Sequence, residues 1–191
     1  MVGEGDDSNA ITASLARPEY FAAIFDRHFG TVHRYLARRV GGERAEDLAA
    51  ATFVIAFERR RSFSSDALSA RPWLLGIATN LIHERHRDDT REQATRIRLA
   101  AERSPGDADG FDDKAAAVLA EALAGLDSKQ RDVLLLYAWA DLSYENIALA
   151  LDVPVGTVRS RLSRARRHVR ERLRSEQDVQ QLTQGGTPDD R

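Results

Sequence analysis

The chain has 191 residues, with 28 Lys and Arg against 30 Asp and Glu, and its formal net charge is −2. It contains no Cys, which excludes disulfides, thiol catalysis and Cys-ligated zinc sites. No apolar run reaches the roughly 18 residues that span a bilayer, and the polar N-terminus is unlike a signal peptide, so we expect a soluble, cytoplasmic protein without membrane insertion.

The first hundred residues predict three helices behind a polar leader. Residues 1–17 lack strong periodicity, which predicts a mobile leader. Apolar side chains then recur at helical spacing from Phe21 to Val40, and Gly41–Gly42 end the run. A second helix is predicted over about 43–60. A polar loop at 62–69 precedes a third, long helix that begins near Ala70 and continues towards residue 101.

Aromatic and basic residues surround this loop. Phe63 lies within it, and the following helix carries Trp73 and Asn80 together with Arg71, Arg85 and Arg87. Aromatic rings that stack on bases, next to guanidinium and amide groups, suit single-stranded DNA. On these features alone, however, core packing explains Trp73 better than DNA binding does, and Phe63 can simply close the loop.

The middle of the chain predicts a domain boundary. Residues 103–113 are rich in Gly, Pro and Asp, which is typical of a flexible acidic linker. It separates a predicted domain at 18–102 from a second at 114–175, in which helices are expected over 114–126 and 128–140. The tail at 176–191 loses periodicity and is predicted to be disordered. Strand-like alternation is absent, so the predicted fold class is all-α, with two small helical domains.

The stretch from Leu142 to Arg174 has the pattern of a helix-turn-helix. Ser143 is placed to cap a short helix, Tyr144–Leu151. Asp152 can adopt a left-handed turn, and Pro154 suits a first helical turn. The second helix then carries one apolar stripe, whose residues recur at spacings of three and four: Val155, Val158, Leu162, Ala165, Val169 and Leu173.

The opposite face of this second helix is strongly basic. Between Thr157 and Arg174 there are eight Arg and a single acid, Glu171. A basic, amphipathic second helix is what a helix-turn-helix inserts into a DNA major groove, where Arg contacts phosphates or guanine and Ser or Thr approaches a base edge. A solvated basic surface, or one that docks on an acidic protein, would show the same pattern.

Two segments resemble the bacterial extracytoplasmic-function sigma factors, group 4 of the sigma-70 family. The C-terminal segment reads LDSKQRDVLLLYAWADLSYENIALAL followed by VPVGTVRSRLSRARR, and the N-terminal segment includes GGERAEDLAAATFVIAF and RPWLLGIATNLIHERHR. The resemblance implies a sigma region 2 helical bundle and a sigma region 4 helix-turn-helix joined by the linker. It further implies binding to RNA polymerase core, recognition of the minus-35 and minus-10 promoter elements, and promotion of DNA melting.

The resemblance also implies partners and residue roles. The partners are the polymerase clamp helices of the largest subunit, the polymerase flap, duplex and melted promoter DNA, and an anti-sigma factor. The polymerase contact maps onto Glu46, Asp47 and Leu48, although Ala50 and Ala51 stand where the family commonly has Gln and an acid. The minus-10 contact maps onto Arg59, Arg60, Phe63, Ser64, Arg71, Trp73, Asn80, Arg85 and Arg87. The upstream-element contact maps onto Gly156, Thr157, Arg159, Ser160, Ser163, Arg164 and Arg167.

No motif predicts catalysis. The chain lacks a Gly-rich phosphate loop, and His83 and His86 have no carboxylate or Cys set to complete a metal site. We therefore predict no catalytic residue, no metal and no cofactor. The alternative function is a stand-alone dimeric helix-turn-helix regulator, and a third class is a protein-interaction module. The motif region at Arg71–Arg87 argues against the regulator, which has no reason to contain it.

Overall fold

A computed structural model of the chain describes residues 7–64, 67, 69–96 and 111–184, and every regular element among them is helical. This confirms the predicted all-α class. The helices in chain order are α1 (Asp7–Ala16), α2 (Ala22–Val40), α3 (Gly42–Glu58), α4 (Arg71–Arg96), α5 (Phe111–Ala124), α6 (Ser128–Ala138), α7 (Tyr144–Leu151) and α8 (Val155–Gln184). Short 3₁₀ turns at Pro18–Phe21 and Arg60–Ser62 connect α1 to α2 and extend α3.

The chain forms two compact units. The first unit contains the described residues from 7 to 96 together with Leu136–Val155. The second unit contains residues 111–135 together with Gly156–Gln184. The predicted boundary at 103–113 assigns residues 136–155 to the second domain. The contacts of residues 136–155 group this segment with the first unit. Most of that predicted linker, up to residue 110, lies outside the described residues, and α5 begins at its end.

The core of the first unit is built by α2, α3 and α4. Apolar side chains on the inner faces of these helices are fully buried: Ile24, Val32, Leu36, Ala49, Leu74, Leu75 and Ala78. The periodicity predicted all of these except Ala49 and Leu75. A buried hydroxyl pair crosses the core, with Tyr35 Oη 3.0 Å from Thr79 Oγ1. Gly41 ends α2 with a φ of 84°, a conformation that glycine adopts without strain.

Helix α1 lies within the segment predicted as a mobile leader. Its Ile11 is buried, and so are Asp7 and Ser14. Local periodicity is weak here because the helix is held by contacts with residues far along the chain. The prediction of a mobile segment therefore differs from the structure over 7–16.

The second unit contains α5, α8 and most of α6. Arg131 joins α6 to the end of α5 by donating to the carbonyl oxygens of Leu123 at 2.7 Å and Leu126 at 3.1 Å. Asp127 caps α6, since its Oδ1 accepts the amide of Lys129 at 3.1 Å. Helix α8 extends to Gln184, into the predicted tail at 176–191, and residues 185–191 lie outside the described part. None of the described helices is both long and apolar enough to cross a membrane.

Candidate nucleic-acid interface

The turn between α7 and α8 has the geometry that its sequence predicts. Ser143 caps α7, because its Oγ accepts the amide of Asn146 at 3.1 Å. Asp152 adopts the left-handed conformation, with φ 50° and ψ 55°. The amide of the next residue, Val153, donates to the carbonyl of Ala148 at 3.1 Å, which closes the C-terminal turn of α7. The predicted N-cap and the predicted left-handed turn are both confirmed.

The first turns of α8 separate an apolar stripe from a basic face. Val158, Leu162 and Ala165 are at most 1% exposed, which confirms the predicted stripe at these positions. On the outward side, Thr157 and Ser160 are half-buried, and five predicted upstream-element residues are exposed: Gly156, Arg159, Ser163, Arg164 and Arg167. Ser160 Oγ donates to the carbonyl of Thr157 at 3.0 Å. The arrangement presents three guanidinium groups from one helix face, as a contact with a polyanion requires.

A second group of predicted residues surrounds the start of α4. The rings of Phe63 and Trp73 lie 5.2 Å apart between centroids, at an angle of 55°. Both rings are half-buried. Ser64, which follows Phe63, and Asn80, which lies further along α4 than Trp73, are exposed. Arg59, Arg85 and Arg87 are also exposed. Half-buried aromatic rings among exposed polar and basic groups can stack on unpaired bases and contact the backbone of the same strand.

Two arginines predicted at this site are engaged in packing. The guanidinium of Arg60 lies 3.9 Å from the centroid of the Phe57 ring and donates to the Phe57 carbonyl at 2.6 Å. Arg71 donates from Nη2 to the carbonyl of Ala140 in the first unit, and it is half-buried. Sequence alone cannot separate these two arginines from the exposed ones, because Arg60 also donates to the carbonyl of Ser14, 46 residues away, and the partner of Arg71 lies 69 residues away.

The predicted polymerase-binding residues differ in exposure. Glu46 and Asp47 are exposed near the start of α3, whereas Leu48 is only 4% exposed and belongs largely to the core. Asp47 and Leu48 also line a cleft of about 370 Å³ between α2, α3 and α4, which has a predominantly basic wall of Arg39, Arg44, Arg85 and His86. The exposed acids and this cleft therefore form one continuous surface of the first unit.

Sequence reasoning missed the buried cluster of charged side chains around Asp7. The carboxylate is fully buried; its Oδ2 lies 2.7 Å from His28 Nε2 and accepts the amide of Ala70 at 2.7 Å. Arg27 donates to the other oxygen. Burial by itself would raise the pKa of Asp7, but the hydrogen bonds from His28, Ala70 and Arg27 outweigh it and lower the pKa from 3.8 to about 2. An Asp in a polar leader carries no local signal of this role.

Metal binding has no support in the described part of the chain. No group of three or more His, Asp and Glu residues is arranged there to hold an ion.

Comparisons with known proteins divide the chain in the same way as its sequence motifs. A family model described as "Sigma-70 region 2" matches residues 24–92, and one described as "Sigma-70, region 4" matches residues 116–169. The two matches lie on either side of the predicted linker. The first covers nearly all of α2, all of α3 and most of α4, and the second covers most of α5, all of α6 and α7 and half of α8.

Whole-chain relatives agree with these matches. The chain is 37% identical to the probable RNA polymerase sigma-C factor of Mycobacterium bovis over 175 residues, covering 87% of this chain and 92% of that one. It is 31% identical to the sigma factor BldN of Streptomyces coelicolor, covering 80% and 60%. Among solved structures, the sigma factor RpoE of Bartonella quintana, in complex with the anti-sigma factor NepR, matches with a TM-score of 0.62 at 25% identity, covering 81% of this chain and 96% of that one.

Proposed function

The chain belongs to the extracytoplasmic-function sigma factors of the sigma-70 family, and from this membership we propose how its residues divide the work of transcription initiation. It is a sigma factor with a region 2 and a region 4 domain, and it acts in transcription as a DNA-binding initiation factor rather than as a classical enzyme. RNA polymerase core and promoter DNA are its partners. We place it in group 4 of the family and in the cytoplasm, where the polymerase works.

The basic face of α8 reads the minus-35 element. The observation that carries this proposal is that Arg159, Ser163 and Arg164 are exposed on the side of the helix opposite the buried Val158 and Leu162. A helix oriented by its apolar stripe presents these side chains to the major groove, where Arg can donate two hydrogen bonds to guanine. Arg167, one turn further on, suits a phosphate contact that fixes the register of the helix.

The surface around Phe63 and Trp73 captures the melted minus-10 element. Their half-buried rings supply stacking area, and exposed Asn80 can read the edge of an unpaired base. Arg85 and Arg87 are exposed further along α4, where they suit the phosphates of the same strand. Arg60 and Arg71 support this surface through their packing contacts.

The start of α3 binds the clamp helices of the polymerase largest subunit. Glu46 and Asp47 supply exposed carboxylates there, and the basic wall of the adjoining cleft suits an acidic side chain of the partner. Leu48 shapes this surface from beneath. The exposed Ala50 and half-buried Ala51 provide no polar group, so Glu46 and Asp47 carry the polar part of this contact.

Two further assignments complete the proposal. The domains run over 18–102 and 114–175 with the linker at 103–113, and the region 4 domain also contacts the polymerase flap. An anti-sigma factor is a partner of this chain as well, by analogy with RpoE of Bartonella quintana, which was solved in complex with one.

The test is reconstitution with bacterial RNA polymerase core. We expect the protein to co-purify with core and to direct initiation from a defined set of promoters in a genomic library. A variant with Glu46→Ala and Asp47→Ala should lose core binding but keep its fold, and Glu43→Ala, an exposed acid in the first turn of α3, serves as the matched control. If the protein ignores core and binds duplex DNA alone, the dimeric regulator replaces this function.

A further inference from the structure

Helix α1 holds both ends of the segment that joins α3 to α4. At the beginning of that segment, Arg60 Nε donates to the carbonyl of Ser14 at 3.4 Å. At its end, the amide of Ala70 donates to Asp7 Oδ2 at 2.7 Å. Phe63 and Ser64 lie between these two attachments. The two ends of this segment, at Arg60 and Ala70, are therefore both attached to one helix that lies far from them in sequence.

Asp7 acts at the positive end of α4. The first hydrogen bond of that helix runs from the amide of Leu74 to the carbonyl of Ala70 at 2.9 Å, so the Ala70 amide belongs to the end where donors lack helical partners. A carboxylate next to these donors is favoured by the helix dipole. A residue of the same segment, Ser69, accepts the amide of Arg71 at 3.2 Å, but the Ala70 amide is capped by a side chain 63 residues away.

The position of the carboxylate is determined from α2. His28 and Arg27 both contact Asp7 from that helix, and the carboxylate is fully buried. Because solvent does not screen these contacts, they orient the two oxygens precisely enough that one faces the Ala70 amide. The Asp7 side chain thus connects the N-terminal end of α4 to α2.

Trp73 lies in that first turn, and its ring packs 5.2 Å from the ring of Phe63. We propose that Asp7 is a positioning residue for promoter recognition, which holds the start of α4 so that Phe63 and Trp73 keep the shape of a pocket for one unpaired base of the minus-10 element. The inference rests on the proposed function, since it needs melted DNA as the ligand. Without Asp7, the Ala70 amide loses its acceptor, and the start of α4 is held only by the contacts of Arg71 with Ser69 and Ala140, so its first turn can shift.

A role in base recognition differs measurably from a role in folding alone. If Asp7 only stabilised the first unit, its loss would lower the fraction of active protein and reduce initiation equally on every promoter. If it positions the pocket, its loss changes the preference for the base at one minus-10 position and leaves the minus-35 preference unchanged. The diagnostic quantity is therefore the relative activity across promoter variants, normalised to one reference promoter.

The experiment uses polymerase core reconstituted with the full-length wild type, Asp7→Ala, Asp7→Asn and the control Asp26→Asn. Asp26 is an exposed carboxylate on α2, so the control makes the same change in charge outside the buried cluster. Each holoenzyme transcribes a library that contains every single-base variant of the minus-10 and minus-35 elements. We expect Asp7→Ala to reduce discrimination at one minus-10 position by about tenfold, the size of one base contact.

A second measurement tests whether the base at that position is the one whose contact is lost. An abasic site at the affected position should weaken open-complex formation by the wild type and have no further effect on Asp7→Ala, since a contact already lost cannot be lost twice. Asp7→Asn keeps an acceptor for the Ala70 amide and provides a milder variant if Asp7→Ala fails to fold. We expect its profile to change at the same position by a smaller factor.

Four outcomes would overturn the inference. An unchanged profile in both folded variants, or a uniform loss across all promoters, leaves Asp7 with a structural role only. A change at a minus-35 position would contradict a link to the Phe63 and Trp73 surface. If the wild type itself directs no initiation with core, the proposed function fails first, and the inference falls with it.

Discussion

Neutralising Asp7 should weaken the first unit in a manner that depends on pH. The pKa of Asp7 is lowered from 3.8 to about 2. A change of one in pKa is worth about 1.4 kcal/mol, so this lowering corresponds to about 2 kcal/mol of stability. Because the folded-state pKa lies below the unfolded one, this stability is present in full above the unfolded pKa. It is lost as the pH falls through 3.8 towards 2, and about half of it is gone at pH 3.

The assay is urea unfolding of the wild type, Asp7→Asn and the control Asp26→Asn between pH 5 and pH 3. Both tryptophans, Trp73 and Trp139, belong to the first unit, so their fluorescence follows its unfolding. We expect Asp7→Asn to lower the free energy of unfolding by about 2 kcal/mol at pH 5 and by about 1 kcal/mol at pH 3. The control should stay within about 0.5 kcal/mol of the wild type throughout.

The pH dependence of the difference in unfolding free energy between the wild type and Asp7→Asn tests this account. A difference between wild type and Asp7→Asn that stays constant from pH 5 to pH 3 would show that the carboxylate charge contributes nothing and that the variant merely disturbs packing. An equal change in Asp26→Asn would show an effect of net charge. Either result would refute the account of the buried cluster.

Three further predictions concern the DNA surfaces and the core. Arg159→Ala should weaken binding to the upstream element by about 1–3 kcal/mol and relax one base preference in a binding-site library; equal weakening on every sequence would make Arg159 a phosphate contact. Asn80→Ala should impair open-complex formation, followed by permanganate reactivity, more than duplex binding, and normal melting would contradict this role. Gly76→Ala should lower the unfolding free energy of the first unit by about 1–3 kcal/mol in the urea assay, because its Cβ would overlap the carbonyl of Ala150. Gly30→Ala, whose Cβ meets nothing, is the control and should not destabilise.

Local pattern was sufficient for helices α2 to α8 and for the turn at the DNA-binding helix, but it missed α1. The apolar spacing of three and four predicted the buried stripe of α8, and the exposed arginines follow from it because a helix has only one opposite face. Ser143 and Asp152 act through amides and dihedral angles within a few residues of themselves, so their roles could also be read without the fold. The motifs on either side of the linker were likewise sufficient to identify the family.

Tertiary structure decided which of the predicted residues are free to meet a ligand. Leu48 is a surface candidate by its motif but a core residue by its packing. Arg60 and Arg71 resemble the exposed Arg59 and Arg85 in sequence, yet each also donates to a carbonyl oxygen that only the fold brings near, that of Ser14 for Arg60 and that of Ala140 for Arg71.

The role of Asp7 shows the same limit most clearly. Its leader has no periodicity that would predict burial, and its partners His28 and Ala70 lie 21 and 63 residues away. Periodicity and capping are properties of neighbours in the chain, so the sequence by itself determined helices α2 to α8, the basic face and the family. Contacts between distant residues depend on how the helices pack, so only the tertiary structure could place a buried carboxylate beneath the start of α4.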